Sequence, residues 1–335
     1  MSLWSAQDAA LATGGKTAGK WQAEGVSIDT RTLRAGDLFV ALADRRDGHD
    51  FVADALQKGA SAALVSRRPA DVLSDENLLY VQDVQIALEG LARAARHRSA
   101  AQVIAITGSA GKTSTKEMLR VMLQAQGKTH ASYASYNNHW GVPLTLASLP
   151  RDAAFAVVEI GMSNPGEIAP LARLVRPDAA FITTVAPAHL AAFENLEGIA
   201  REKAAILQGL TAQGYAVLNA EAPCRSVMEQ AVAAKGCQSL WFGSGAAQAR
   251  ITQLSVKDGL MQVMASIGDL SLKFELHTVG RHFAMNALGA LALLSKLNPD
   301  VEKAARVLAQ WQPTEGRGMR HQLHASFGAV ELIDD

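Results

Sequence analysis

Short apolar runs alternate with amphipathic stretches over residues 1–97. "LFVAL" (38–42), "AALVS" (62–66) and "LLYVQD" (78–83) predict strands, because branched and aromatic residues cluster there between turn formers. "FVADALQKG" predicts a helix closed by Gly59. "QIALEGLARAARHRS" predicts a longer one, with Leu88, Leu91 and Ala95 on one face and Arg93, Arg96 and Arg98 on its solvated side. From Val103 the alternation strengthens. "VIAIT", "FAVVEIG" (155–161), "AAFITTV" (179–185) and "YAVLN" (215–219) are continuously apolar, as parallel strands covered on both faces are. Residues 251–276 alternate residue by residue and predict antiparallel strands. Helices follow over 282–297 and through "VEKAARVLAQW". "HQLHASFGAVELIDD" reads as two more strands, the second with nothing to pair against, as if a domain begins near Met319 and is cut off at Asp335.

Composition narrows the function classes. At 335 residues the chain has room for about two cores. With 32 Lys+Arg against 32 Asp+Glu the formal net charge is zero, which does not suggest a nucleic-acid or membrane-surface protein. Cys224 and Cys237 lack metal-like spacing and exclude a disulfide framework. No apolar run approaches the ~18 residues of a membrane span. The N-terminus lacks a basic region and a long apolar core, so no secretory signal is expected, and the expected compartment is the cytoplasm.

One stretch carries chemistry. "AITGSAGKTST" (105–115) follows the run ending at Ile106 and precedes a stretch with Met118, Leu119, Met122 and Leu123 at helical spacing, Gly127 standing at the cap position. Strand, glycine turn and helix leave free N–H groups at a helix N-terminus, an anion site. Gly108 and Gly111 permit close backbone approach, Lys112 can reach phosphates and the Thr113 hydroxyl can ligate Mg²⁺. The pattern nonetheless departs from the usual phosphate loop, since Ile106 occupies the place of its first glycine. A second Gly-Lys-Thr, Gly15 to Thr17, follows a helical pattern and reads as a loop. Ligands of such sheets gather at the carboxyl ends of strands, where Glu159, His189 and Asn137–Asn138 fall. Glu159 follows four apolar residues, a costly place for a carboxylate without a cation, and with phosphates nearby that cation is Mg²⁺. Lys203 by itself reads as a surface helix lysine.

"TGSAGKTSTKEML", "NNHWGVPLTL", the segment beginning "EIGMSNPGEI", "GRHFAMNALGALAL" and "GRG" occur in the order seen in the Mur ligases, and the chain resembles that family along essentially its whole length. The family's loops also read Thr-Gly-x-x-Gly-Lys-Thr, which accounts for Ile106. The resemblance implies an α/β fold in three parts. These are a small UDP-binding α/β domain (1–97), a central P-loop domain with a mainly parallel sheet covered by helices (98–316), and the start of a truncated third, Rossmann-like domain (317–335). It further implies that Gly108, Ser109, Ala110, Gly111, Lys112, Thr113 and Ser114 hold the ATP phosphates. Thr113, Glu159, His189 and a carbamylated Lys203 would hold two Mg²⁺ ions, and Lys112, Glu159, His189 and Lys203 would form the catalytic group. Asn286 would meet adenine and Arg317 the nucleotide, although Phe283 stands where relatives commonly have asparagine. Thr30, Arg31, Asp47, Gly48 and His49, with Asn137 and Asn138, would bind the UDP substrate.

The implied reaction joins D-Ala-D-Ala to UDP-N-acetylmuramoyl-tripeptide through an acyl phosphate, in a monomer without nucleic-acid partners. Residues 1–335 are expected to bind substrates without ligating them. Three alternatives stay open: another Mur-type or folylpolyglutamate-type ligase, a non-ligase P-loop ATPase and a silent binding module. An ATPase of that kind would need a Walker-B aspartate where this chain offers Glu159.

Overall fold

The computed structural model describes residues 2–188, 191–314, 316–317, 319–325 and 328–334, with backbone alone over 319–333. It divides into two compact units, Met1–Ala101 with Tyr136–Ala153, and Gln102–Ser135 with Ala154–Asp335. The contiguous boundary expected after residue 97 is therefore replaced by one in which the chain re-enters the first unit. The physical reason is helix Gly141–Ala147: every one of its residues is buried, and Ala147 joins the same core as Trp4 and Leu88. The Trp4 indole also donates to the Ala147 carbonyl at 2.8 Å.

In the first unit, Leu78–Tyr80, Ala62–Val65, Asp37–Val40 and Gly25–Ser27 form a parallel sheet in that order, close to the expected strands. Alternate residues serve opposite faces. Leu38, Val40 and Leu64 pack with Trp4 and Leu88, while Phe39, Ala63 and Val65 pack with Val52 and Ala55. Gly59 takes φ +94° after helix Val52–Gln57, as a helix-closing glycine should. Two expectations are corrected here. Lys16–Thr17 is an edge strand antiparallel to Leu78–Tyr80 instead of a loop, because left-handed Gly14 ends the preceding helix and turns the chain back. Arg98 does not sit on a solvated side: its guanidinium lies 3.8 Å from the centre of the Trp4 ring, and burial lowers its pKa to about 10.

The second unit is built on nine strands. Their order is Leu270–Leu276, Leu260–Ile267, Ala249–Lys257, Gln238–Gly243, Tyr215–Asn219, Ala179–Ile182, Gln102–Thr107, Phe155–Glu159 and Thr129–Ala131. The run from Ala249–Lys257 to Thr129–Ala131 is parallel, and 249–276 is the expected antiparallel meander. Helix Lys112–Gln124 packs Met118, Leu119, Met122 and Leu123 into a core shared with the almost wholly buried helix Arg281–Leu294. That first helix stops before Gly127, which does not take the left-handed conformation of a capping glycine. Met319–Ala325 and Gly328–Asp334 pair with each other, so the last strand does have a partner. Among the described residues no helix is long and apolar enough to cross a membrane.

Candidate functional site

Strand Gln102–Thr107 ends in the loop Gly108–Gly111, and helix Lys112–Gln124 begins at the lysine. Gly108 has φ +151°, and a Cβ there would lie 1.8 Å from the Thr183 hydroxyl. Gly111 has φ +80°, and a Cβ there would lie 2.7 Å from Asn286 Nδ2. Both glycines are thus required, by backbone conformation and by close neighbours. The loop is held from one side by the neighbouring strand end. Thr183 Oγ1 donates to the Ala110 carbonyl, Ser109 N donates to Thr184 O at 3.0 Å, and the Ser109 hydroxyl donates to Ala186 O at 2.9 Å. Asn219 Nδ2 in turn donates to Thr183 O at 2.8 Å. Thr183 and Asn219 were not anticipated; two threonines ending an otherwise apolar strand were the signal for the first.

Lys112 folds over the loop, donating from Nζ to Gly108 O at 2.8 Å. Burial lowers its pKa; the Glu159 carboxylate opposes that shift and the Arg317 guanidinium adds to it. The Thr113 hydroxyl donates to Glu159 Oε2 at 3.1 Å, and Glu159 is 1% exposed at the carboxyl end of its strand. Ser114 is buried one residue further on. Lys203, on helix Leu196–Ala204, is 3% exposed, not a surface lysine. Burial first, and then the Lys112 ammonium, push its pKa down to about 7, with Glu202 opposing. Asn286 lies against Gly111, while Phe283 belongs to the core beside Trp311, ring centres 5.3 Å apart. Thus Lys112, Thr113, Glu159, Lys203, Asn286 and Arg317 gather around one loop. His189 lies outside the described residues. No cluster of three or more His, Cys, Asp or Glu suited to a metal occurs among the described residues. The Thr113 hydroxyl and the buried Glu159 carboxylate are nonetheless the hard oxygen donors that Mg²⁺ takes.

The second set of residues gathers in the first unit, around a cavity of about 410 Å³. Thr30, Arg31 and Gly48 line it. So do residues that sequence reasoning missed, notably Arg45, Arg46, Phe51, Tyr136 and Trp140, with Arg46 stacked 4.5 Å from the Phe51 ring centre. Asp47 and His49 do not line it. The Ser66 N–H donates to His49 Nε2 at 3.0 Å, so that nitrogen accepts and the ring proton sits on Nδ1, which donates to Asp47 Oδ1 at 2.6 Å. Asp47 also accepts from His49 N and from Arg67. The pair braces a turn. Asn137 and Asn138 fall in this first unit, and Asn138 Oδ1 accepts from Trp140 N and Gly141 N at the start of a helix.

Strand, loop, lysine, hydroxyl and buried carboxylate define a phosphate-loop nucleotide-binding domain. Comparison with known proteins carries the identification further. Residues 106–294 match the Mur ligase middle domain and residues 22–110 the Mur ligase family catalytic domain. The chain is 32% identical over 318 residues to the UDP-N-acetylmuramoyl-tripeptide–D-alanyl-D-alanine ligase of Rickettsia prowazekii, covering 94% of this chain and 71% of that one. The Escherichia coli protein of the same name is 36% identical over 302 residues, of which the chain covers 65%. MurF from Acinetobacter baumannii superposes with TM-score 0.86 at 30% identity, over 99% of this chain and 72% of that one. The chain belongs to the Mur ligase family.

Proposed function

We propose that this chain carries the nucleotide and UDP-sugar sites of an ATP-dependent ligase that adds D-Ala-D-Ala to UDP-N-acetylmuramoyl-tripeptide in peptidoglycan precursor synthesis, a cytoplasmic and monomeric enzyme. The observation that carries the reading is the buried contact between Thr113 and Glu159 beneath a lysine-bearing phosphate loop. The names of the curated relatives supply the substrates. A Thermotoga maritima MurF solved in complex with ADP shares the fold, TM-score 0.73 at 24% identity.

In the proposed reaction the terminal carboxylate of the tripeptide attacks the γ-phosphorus of ATP. The bond to the bridging oxygen breaks, and ADP and an acyl phosphate result. The amine of D-Ala-D-Ala adds to the acyl carbon, loses a proton and expels phosphate, leaving the amide. This chemistry asks for positioning and charge neutralisation. Lys112, bonded to Gly108 O, would turn its ammonium to the phosphates, and the loop N–H groups would donate to the phosphate oxygens. Thr113 and Glu159 would hold one Mg²⁺, and His189 with Lys203 a second. When bound, these ions neutralise phosphate charge. Lys203 would serve as its carbamate, and a lysine pushed down to about 7 supplies the neutral amine that adds to CO₂. Asn286 and Arg317 would meet the nucleotide, and Thr30, Arg31 and Gly48 the uridine diphosphate.

Calorimetry on residues 1–335 with ATP–Mg²⁺ and, separately, with the UDP-muramoyl tripeptide tests the reading: both should bind, at independent sites. A non-ligase ATPase would bind only the first, and a silent module would bind without Mg²⁺ dependence.

A further inference from the structure

Helix Lys112–Gln124 carries a lysine that the loop does not use. Lys116 has no exposed surface, unlike an ordinary helix lysine, which keeps its ammonium in water. Its Nζ donates to the Ser132 carbonyl at 2.9 Å and to the Ala134 carbonyl, and lies 3.1 Å from the Glu117 carboxylate. Both carbonyls belong to the segment that follows strand Thr129–Ala131, where Ala134 takes φ +44°, a conformation an alanine holds only when its surroundings impose it. The Ser132 side chain then points at the strand end beside it, and its Oγ accepts from the backbone N–H of Glu159 at 3.1 Å, in a buried setting. Glu159 is the residue whose carboxylate meets the Thr113 hydroxyl.

We infer that Lys116 is a positioning residue: by holding the Ser132–Ala134 segment in place it fixes the backbone at Glu159 and so the carboxylate offered to the cation. The inference rests on the proposed role of Glu159 toward Mg²⁺. Lys116 and Thr113 lie on one helix, so the same element that presents the hydroxyl sets the depth of the carboxylate. A buried ammonium suits the task, since leaving its partners unbonded is costly and the segment is therefore strongly constrained. Partners behind a metal ligand commonly change metal affinity by about 10–100-fold.

The test separates the cation from the nucleotide. ATP affinity of residues 1–335 is measured with Mg²⁺ and with chelator, for wild type, Lys116→Met, Ser132→Ala and Glu159→Gln. Lys116→Met and Ser132→Ala should each lose about tenfold of the Mg²⁺-dependent gain while affinity in chelator stays as in wild type. Amide hydrogen exchange at Glu159 should quicken in both variants, with the loop amides unchanged. If both variants keep the full Mg²⁺ gain while Glu159→Gln loses it, the positioning role is overturned. If Glu159→Gln also keeps it, the assignment of Glu159 to the cation fails first, and the inference with it. Should Lys116→Met not fold, Ser132→Ala decides alone, because it leaves the lysine and both carbonyls in place. Equal losses with and without Mg²⁺ would reduce Lys116 to a support of the fold.

Discussion

The loop at Gly108–Gly111 and the cavity of the first unit were both anticipated from sequence, and the structure treats them differently. Around the loop, all six anticipated partners within the described residues converge. The site is the backbone of one contiguous turn, the helix start that follows it and a few groups brought against it, Glu159 from a strand end and Lys203 and Asn286 from helices. Around the cavity, Thr30, Arg31 and Gly48 line the wall while Asp47 and His49 turn away to brace it. That wall is assembled from three separated stretches, 28–31, 39–51 and 136–140. A motif within one turn states its own geometry. A pocket made from distant segments does not reveal which of its polar residues face the ligand and which hold the wall.

The largest expected effect is at the loop. Lys112→Ala removes a charge-assisted contact to phosphate, so ATP affinity should fall about 100-fold by calorimetry while thermal unfolding barely moves. A variant that binds ATP as wild type does would break the contrast, since the loop would then be no more functional than the brace.

Next in size is the titration of Lys203. Its conjugate acid is pushed from the ordinary lysine range down to about 7 by burial and by Lys112. The neutral amine therefore predominates as pH rises above about 7, where other lysines stay protonated. With ¹³C-bicarbonate, a carbamate resonance should grow through that range and be missing in Lys203→Ala. The sign for stability follows: the unfolded chain binds this proton more tightly, so burial of Lys203 costs most below pH 7 and the cost shrinks toward the ordinary lysine pKa. A carbamate signal that first appears near pH 10 would remove Lys203 from the site.

Much of the scaffold was legible because apolar continuity marks buried parallel strands and alternation marks the meander. What stayed hidden has physical reasons. Thr129–Ala131 is three residues long at a sheet edge, and "QSLWFG" opens with polar residues, so neither stands out as an apolar run. The return of 136–153 to the first unit is tertiary information, carried by burial of Gly141–Ala147 and not by any local pattern. Arg98 and Lys116 look like solvated helix positions, and only the Trp4 ring and the two carbonyls that receive them reveal otherwise. Tyr136 lies just outside the segment "NNHWGVPLTL" and Trp140 inside it, but nothing in that segment marks either ring as part of a cavity wall.

A smaller effect distinguishes brace from wall. Asp47 caps the turn Gly48–Phe51 and orients His49, and Arg67 beside it, with the His49 amide, holds its carboxyl well below the usual aspartate range. Asp47→Ala should cost about 1–2 kcal/mol in unfolding free energy, as lost caps do, with UDP affinity of the folded protein changed little. In the wild type this contribution is complete above the ordinary aspartate pKa and is withdrawn as pH falls below it toward the folded value, so the variant's unfolding should depend less on acid. A large loss of UDP affinity without loss of stability would return Asp47 to the ligand side.

The smallest effect is expected at Arg31, where wall and ligand compete for one charge. Its side chain is 85% exposed and is gripped by Asp29, with Nε at 2.9 and 3.1 Å and one terminal nitrogen at 2.6 Å from the carboxylate oxygens. An exposed pair of this kind contributes little to folding, so Arg31→Gln should leave the unfolding temperature unchanged. A diphosphate entering the cavity would have to share the guanidinium with Asp29, which limits what Arg31 contributes to binding. The loss of UDP affinity in Arg31→Gln should therefore be only about threefold, and it should vanish at high salt, where exposed charges are screened. Asp29→Asn makes the argument two-sided. With the competing carboxylate neutralised, Arg31 is released to the ligand, and UDP should bind more tightly than to wild type. If Asp29→Asn weakens binding as much as Arg31→Gln does, then Asp29 aims the guanidinium instead of competing for it, and Arg31 joins Asp47 among the residues that build the wall.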